Sequence, residues 1–466
     1  VDLDGTLLRS DLLHESFARL LLRQPLQALQ APWWLVGGKA RLKQEIGDRV
    51  GIDAATLPYH EPFLAYLRQQ RDNGRRLVLA TASDRRYAQA VATHLGLFDA
   101  VLASDGKVNC SGSRKLAAIQ ADAGGRFAYA GNDHVDVVIW GQASAAVTVN
   151  APPAAVEDLR AANKLEAEFN GQGASAFGLL KALRPHQWLK NLLVFLPLLP
   201  IATLVGIRAV LACVVAFMAF SLCASVVYLV NDLSDLDADR RHPRKRERPF
   251  ASGRASMGAG LALLPALILA AALLASQLPA AFAGVLLLYL VTSSLYTFVL
   301  KRHAMVDVIT LAGLYTLRVL GGAAAIAVKP SFWILAFSMF IFLSLALSKR
   351  AAELATMRKL DRQGAAGRGY QVSDLSLVQT MGVVSGYLSA LVMALYLNTD
   401  EMLRRYHFPE LLWGVCPLIL LWVSRLWLKT ERAEMHDDPM VFALRDRFSR
   451  WTMALAAILV LAALVI

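Results

Sequence analysis

The stretch Asn231-Asp232-Leu233-Ser234-Asp235-Leu236-Asp237-Ala238-Asp239 closes an apolar run from Ala209 to Val230. Carboxylates set against a run long enough to cross a bilayer are costly unless they meet a cation or line a pathway. On a helix, Asn231, Asp232, Asp235 and Asp239 follow the three-and-four spacing that gathers side chains on one face. That face is an oxygen cage suited to magnesium, which takes one or two carboxylates, water and substrate phosphates. Arg240, Arg241, Arg244, Lys245, Arg246 and Arg248 follow at once, so the expected metal site opens onto a surface fit for phosphate. The competing reading is a solvated helix end with scattered charge, but ionisable clusters seldom sit against a span without function.

The rest of the chain supports a membrane setting. Its 466 residues are 56% hydrophobic with a mean hydropathy of +0.44, too apolar for an ordinary pair of soluble domains. The apolarity is uneven. Up to about Asn150 charge and apolar residues mix as in a globular protein, and from about Trp188 the chain becomes a string of spans. Nine spans are expected, from Trp188 to Leu204 and Ala209 to Val230 through to Leu411 to Leu428 and Trp451 to Ile466. The expected architecture is therefore two-part: a globular domain over 1–150, a linker over 151–180, and an all-α polytopic bundle over 181–466. Val1 falls inside the first expected strand, so further residues are expected ahead of it.

Loops after the even-numbered spans hold roughly twenty Lys and Arg against about four in the others, which places those loops and the N-terminal domain in the cytoplasm. This asymmetry and the need to bind phosphate account for the net charge of +12, so no nucleic-acid partner is expected. Cys110, Cys213, Cys223 and Cys416 show no close pairing, and neither disulfides nor zinc are expected.

In the N-terminal part, Val1-Asp2-Leu3-Asp4-Gly5-Thr6 puts two carboxylates two residues apart at the end of an expected strand. In that geometry Asp2 can attack phosphorus while Asp4 handles the leaving-group proton. Arg76 to Thr81 reads as a buried strand ending in a hydroxyl, Ser113-Arg114-Lys115 supplies a cation, and Tyr129 to Asp136 a second acidic turn. These four stretches, as an ordered set, resemble the haloacid dehalogenase superfamily of phosphatases over roughly residues 1–150. The resemblance implies an α/β, Rossmann-like fold with a small helical cap over residues 11–70, whose Ala31-Pro-Trp-Trp-Leu-Val stretch is expected as cap core although Trp also suits a membrane interface. It further implies Asp2 as the nucleophile that becomes a phospho-aspartate, Asp4 as general acid and base, and Lys115 as the cation steadying both nucleophile and phosphate. Thr81 matches the hydroxyl that holds the phosphoryl group, with Ser83 competing for that place. Magnesium would be held by Asp2, Asp4, Asp136 and Asn132. Asn132 departs from the family pattern, which has an acid there, and Asp133 is the candidate to restore the charge.

Arg184-Pro-His-Gln-Trp188-Leu-Lys190-Asn191, the Asn231 to Asp239 motif and Lys245-Arg-Glu-Arg248-Pro249 resemble the UbiA superfamily of intramembrane prenyltransferases. The resemblance implies a helical bundle with a central cavity, and magnesium on Asn231, Asp232, Asp235 and Asp239. Typical members carry a second aspartate pair after the fourth span. Here the corresponding stretch offers Tyr296, Lys301 and the single carboxylate Asp307, followed by Arg318. That pattern, with Ser348-Lys349-Arg350, is similar to the branch that makes polyprenyl-phosphate phosphoribose from phosphoribosyl pyrophosphate. In both chemistries a metal-bound pyrophosphate leaves a carbon able to bear positive charge. The expected reaction is transfer of 5-phosphoribose to a polyprenyl phosphate, with Lys190, Asn191, Lys245, Arg248, Tyr296, Lys301, Asp307, Arg318, Lys349 and Arg350 binding the substrates. The attached phosphatase would then remove the 5-phosphate to give a pentose donor for cell-envelope glycans. Two other readings stay open: a polyprenyltransferase using prenyl diphosphate on an aromatic acceptor such as 4-hydroxybenzoate, and a membrane scaffold or lipid carrier. His436, Asp437, Asp438 and Asp446 carry no assigned mechanism.

Overall fold

The computed structural model describes residues 1–465 apart from 172, 205, 361–368, 401, 403–405 and 436–437, and leaves out the side chains of 199–204 and 464–465. His436 and Asp437 therefore lie outside the described residues. The chain divides into two units, Val1–Arg184 with Tyr228–Ala266, and Pro185–Val227 with Leu267–Ile466.

The first unit opens with a helical cap: α1 (Leu12–Arg23), α2 (Pro25–Ala28), α3 (Ala31–Val36), α4 (Lys39–Arg49) and α5 (Glu61–Asp72). Asp11 starts α1 by accepting the His14 N–H, and the stripe Leu12, Ser16, Arg19 and Leu20 is buried at helical spacing. Parallel strands follow, alternating with helices. They are β1 (Val78–Asp84), α6 (Arg85–Leu95), β2 (Ala100–Ser104), α7 (Ser113–Ala123), β3 (Ala128–Gly131), α8 (Val137–Gln142) and β4 (Ala145–Val149). β1 pairs with β2, and β3 with β4. Val1 to Leu3, expected as the end of a strand, precede the Gly5 turn (φ +74°) and are assigned to no strand. They nevertheless lie between the two sheets: Val1 accepts the Ala80 N–H at 2.8 Å and Asp2 donates its N–H to Ala130 at 2.9 Å. This lands Asp2 and Asp4 beside the carboxyl ends of β1 and β3, where parallel sheets place ligands. Leu3, Leu7, Phe63, Leu79 and Val149 fill the core beneath.

Residues 151–180, expected as a linker, carry α9 (Pro153–Ala161), β5 (Leu165–Phe169) and α10 (Ala176–Ala182). The Leu-Glu-Ala-Glu-Phe run has little intrinsic strand preference, but β5 pairs with β4 and extends the sheet, so the partner strand decides its conformation.

Seven helices among the described residues are long and apolar enough to cross a membrane: α11 (Ile207–Ser234), then Met257–Ala275, Ala280–Phe298, Val306–Ala325, Phe332–Lys359, Val372–Leu397 and Pro409–Glu431. Two of the nine expected spans fall outside this set. The stretch from Trp188 lies in a 3₁₀ helix, Pro185–Leu204, and the C-terminal one lies in the helix Arg447–Val465, whose first turn carries Arg447 and Arg450. Small residues let the helices of the second unit approach closely. Gly382 lies against Trp427, Gly386 against Val423, and Gly322 against the carbonyl of Val194.

Candidate active sites

A cavity of about 450 Å³ in the first unit is lined by Asp2, Asp4, Ser83, Lys115, Asn132 and Asp136, with Lys43 of α4. Lys115 Nζ donates to Asp2 Oδ1 at 3.0 Å and to the Tyr129 hydroxyl at 2.9 Å, and that hydroxyl donates to Asp136 Oδ1 at 2.8 Å. Asp136 Oδ2 accepts the backbone N–H groups of Asn132 and Asp133 at 3.0 and 3.2 Å. Burial pushes Asp2 upward from the ordinary carboxylate range and Lys115 opposes it. For Asp4, burial and then the Asp11 carboxylate raise the pKa to about 7. Its oxygens accept Ser83 Oγ at 2.5 Å and Leu12 N–H at 2.9 Å, so a proton can be held or released there near neutrality. Thr81 does not line the cavity: it is fully buried, its Oγ1 accepting the Ser83 N–H at 3.0 Å, and Ser83 presents the hydroxyl instead. Asn132 Oδ1 accepts Thr6 Oγ1 at 3.0 Å over Gly5, where a Cβ would collide with it. Asp133 is exposed and caps the His134 N–H.

The acidic motif is not one unbroken helix. α11 stops at Ser234 and α12 (Leu236–Arg241) starts after Asp235. The spacing survives because Asp235 N–H donates to Asn231 O at 2.9 Å and Asp239 N–H to Asp235 O at 2.8 Å. Arg248 Nη1 then reaches both Asp232 Oδ1, at 3.2 Å, and Asp239 Oδ2, at 2.6 Å. Arg184 Nη2 adds a contact to Asp232 Oδ1 at 2.5 Å. Asp232 and Asp239 are each 2% exposed, and Asp232 Oδ2 is buried without a hydrogen-bond partner. Burial pushes Asp239 upward, against the pull of Arg248. The following cations divide. Arg240 forms a two-point pair with the fully buried Glu15 at 2.7 and 2.8 Å, and Arg241 pairs with Asp53 at 2.7 Å. Arg244, Lys245 and Arg246 stay exposed.

The second unit separates the expected cations equally sharply. Arg318 is 5% exposed and donates to neutral partners, Asn191 Oδ1 at 2.7 Å, Leu314 O at 2.5 Å and the Tyr289 hydroxyl at 3.1 Å. Its guanidinium lies 5.5 Å from the Tyr315 ring, and Lys190 Nζ lies 5.9 Å from the same ring. Lys190 and Lys349 share one carboxylate oxygen, Asp438 Oδ2, at 2.8 and 2.9 Å. Burial works against charge on Asp438, yet Lys349 and Lys190 hold it well below the usual carboxylate range. Arg350, by contrast, is enclosed. It bonds Asp307 at 2.6 Å, Glu353 at 2.6 Å and the Tyr296 hydroxyl at 3.1 Å, and Tyr370 donates to Asp307 at 2.6 Å. Arg350, Tyr296 and Asp307 thus form a buried network rather than an open phosphate seat. Lys301 lies in the turn Leu300–Arg302, partly exposed.

A model of the UbiA prenyltransferase family matches residues 192–444, more than half of the chain. The chain belongs to this family. A haloacid dehalogenase-like hydrolase model matches residues 1–138 of the same UbiA protein. The "Uncharacterized protein y4nM" of Sinorhizobium fredii is 38% identical over 464 residues, 98% of this chain and 89% of its own length. Nodulation protein NoeC of Azorhizobium caulinodans is 33% identical, with 57% of this chain and 86% of NoeC covered. Decaprenyl-phosphate phosphoribosyltransferase of Mycolicibacterium smegmatis is 36% identical, with 58% of this chain and 87% of that protein covered.

A divalent cation fits the acidic motif of this UbiA chain: the orphaned Asp232 Oδ2 is a buried acceptor with no donor, which is costly unless a cation meets it. The hydrolase cavity fits less well. Asp136 already accepts two backbone N–H groups and the Tyr129 hydroxyl, with Lys115 at 3.5 Å, so protein donors already meet most of its lone pairs. At neither site is a group of three or more His, Cys, Asp and Glu assembled for a metal among the described residues, so the fit at the acidic motif rests on Asp232 Oδ2. Sequence reasoning about this UbiA protein missed Tyr129, Arg184, Tyr315 and the role of Asp438. Arg184 stood in the quoted Arg-Pro-His-Gln motif, whereas Asp438 gave no local signal because its partners are 248 and 89 residues away. Asp438→Ala is expected to cost roughly 3–5 kcal/mol, since it strands two lysines around one lost carboxylate, seen as earlier thermal unfolding in detergent. Because the folded pKa is depressed, this contribution is present above the unfolded value of about 4 and fades as pH falls below it.

Proposed function

We propose that this UbiA-family membrane enzyme transfers 5-phosphoribose from phosphoribosyl pyrophosphate to a polyprenyl phosphate. Its hydrolase-like domain then removes the 5-phosphate, giving polyprenyl-phosphate ribose for envelope glycan synthesis. Residues 1–150 serve as the phosphatase domain, 151–180 as a join that also adds β5 to its sheet, and 181–466 as the transferase of nine spans, in a bacterial cytoplasmic membrane with both sites on the cytoplasmic side. The observation that carries this reading is the closure of Asp307. The one carboxylate where a second metal cage would stand is 0% exposed and bonded by Arg350 and Tyr370, so it is not available to a prenyl diphosphate metal. The relatives named decaprenyl-phosphate phosphoribosyltransferases support the same donor and acceptor.

Asp232, Asp235 and Asp239, with Asn231, are assigned to magnesium, which when bound neutralises the departing pyrophosphate. Lys190, Lys349 and Arg318 are assigned to phosphate of the lipid or donor. Arg318 suits this because its buried charge meets neutral partners, so an anion gains most there. A lipid phosphate oxygen attacks the ribose anomeric carbon, its bond to pyrophosphate breaks, and pyrophosphate leaves. In the hydrolase cavity Asp2 attacks the 5-phosphorus, Asp4 gives its proton to the leaving ribose oxygen, and Asp4 then takes a proton from the water that cleaves the phospho-aspartate. Fusion raises the effective concentration of the second step's substrate.

The test is incubation of membranes with labelled phosphoribosyl pyrophosphate and polyprenyl phosphate. Unlabelled lipid, together with prenylation of 4-hydroxybenzoate from prenyl diphosphate, would replace this reading by the aromatic-acceptor one. Loss of all lipid-phosphate chemistry in the wild type would favour a scaffold. Arg318→Met is expected to raise the KM for the phosphate-bearing substrate roughly 10- to 100-fold, the worth of one or two charge-assisted hydrogen bonds, measured by initial rates.

A further inference from the structure

The cap carries an apolar face that its own unit leaves in the open. Leu26, Leu29, Trp33 and Val36 of α2 and α3 and their joins are 79%, 70%, 77% and 85% exposed. The other side of the same segment is core: Ala28, Ala31 and Trp34 pack with Leu20, Ile46 and Val50, and Arg49 lies 4.7 Å over the Trp34 ring. Of two adjacent tryptophans, one therefore holds the cap together and the other points away from it. The expectation of a simple cap core holds for Trp34 and fails for Trp33.

Charge and position narrow what covers this face. Residues 16–44 contain no Asp or Glu, and of their five cations Arg23, Lys39 and Arg41 are exposed, whereas Arg19 is buried and Lys43 lines the cavity with Asp2 and Asp4. Arg19 and Arg23 reach the Asp237 carboxylate at 2.7 and 3.6 Å. Asp237 follows the end of membrane helix α11, Ser234, by three residues, about one helical turn. Pro25, which opens α2, follows Arg23 by two residues. The exposed face thus starts two residues past a cation tied to the segment that follows α11, whose end, from Tyr228, belongs to the same unit. Tryptophan and leucine flanked by cations are what the headgroup zone of a bilayer selects, the rings and chains sinking below the phosphates and the cations meeting anionic lipid.

We propose that α2 and α3 form a membrane-surface anchor, seating Leu26, Leu29, Trp33 and Val36 in the bilayer interface with Lys39 and Arg41 toward anionic headgroups. The anchor fixes the cap against the lipid surface, independently of which reactions the two sites catalyse.

The test uses the full chain in nanodiscs of mixed phosphatidylcholine and phosphatidylglycerol. The four native cysteines are buried, so single cysteines in Leu29→Cys, Val36→Cys and, as reference, exposed Thr93→Cys of α6 take a nitroxide label selectively. The expected result is a rise in collisions with oxygen and a fall in collisions with a water-soluble nickel chelate at 29 and 36, relative to 93. Nickel access at 29 and 36 equal to that at 93 would overturn the proposal. So would exclusion of both oxygen and nickel, which would mean that a second copy or another protein covers the face.

Discussion

Asp232→Ala in the full chain will abolish labelling of polyprenyl phosphate by phosphoribosyl pyrophosphate, with a loss of roughly 10³-fold or more. The size follows from where the carboxylate sits. One oxygen takes Arg184 and Arg248, and the other is a buried acceptor with no donor. Removing the side chain deletes the seat for a cation and also leaves two guanidinium groups facing each other across the gap. Asp232→Asn separates these effects. It keeps an acceptor for Arg184 but removes the charge, so if charge at this oxygen is what matters, Asn will be nearly as inactive as Ala while unfolding at a temperature close to wild type. Transfer by Asp232→Ala within tenfold of wild type would exclude this residue from the reaction.

Asp2→Asn will stop removal of the 5-phosphate, by on the order of 10⁴-fold, while leaving transfer intact. Mass analysis of the lipid product reads both sites at once: wild type should yield polyprenyl-phosphate ribose, and Asp2→Asn its phosphorylated precursor. Lys115 donates to Asp2 Oδ1 and is itself held by Tyr129, whose hydroxyl is tied to Asp136. Asn keeps an acceptor for Lys115, so the variant should fold. If wild type and variant accumulate the same phosphorylated lipid, the hydrolase domain does no work on this product.

The sequence made the local parts legible and left the long-range ones hidden. The apolar run before Asn231 and the acid pair at Asp2 and Asp4 are short-range patterns, set by helical spacing and by a turn at Gly5, and both assemble as motifs in the fold. What a cation does cannot be read that way, because it depends on the carboxylate that reaches it. Arg350 and Arg318 look alike in sequence, yet Asp307 and Glu353 close off the first while the second donates to neutral acceptors. Thr81 and Ser83 illustrate the same limit at shorter range. Alternation of faces along β1 suggests both lie on one side, yet Thr81 is fully buried with its hydroxyl accepting the Ser83 N–H, and Ser83 lines the cavity. Strand β5 was hidden because an alternating Leu-Glu-Ala-Glu-Phe run also suits a helix until β4 supplies its partner.

Glu15 shows why the N-terminal part is not a cassette that can be cut away. It is fully buried between Arg19 and Arg240, and Arg240 belongs to the helix that carries Asp239. The start of the same α1 holds Asp4 through the Leu12 N–H. An excised fragment ending near residue 150 would keep Glu15 and Arg19 but lose Arg240 and Asp237, leaving charges that had been paired by a distant segment of the chain. Losing one partner of a buried pair costs about 3–5 kcal/mol, a large share of the stability of a domain this size. The N-terminal domain therefore borrows part of its fold from the segment that follows membrane helix α11, and is expected to be soluble and folded only when that segment is supplied with it.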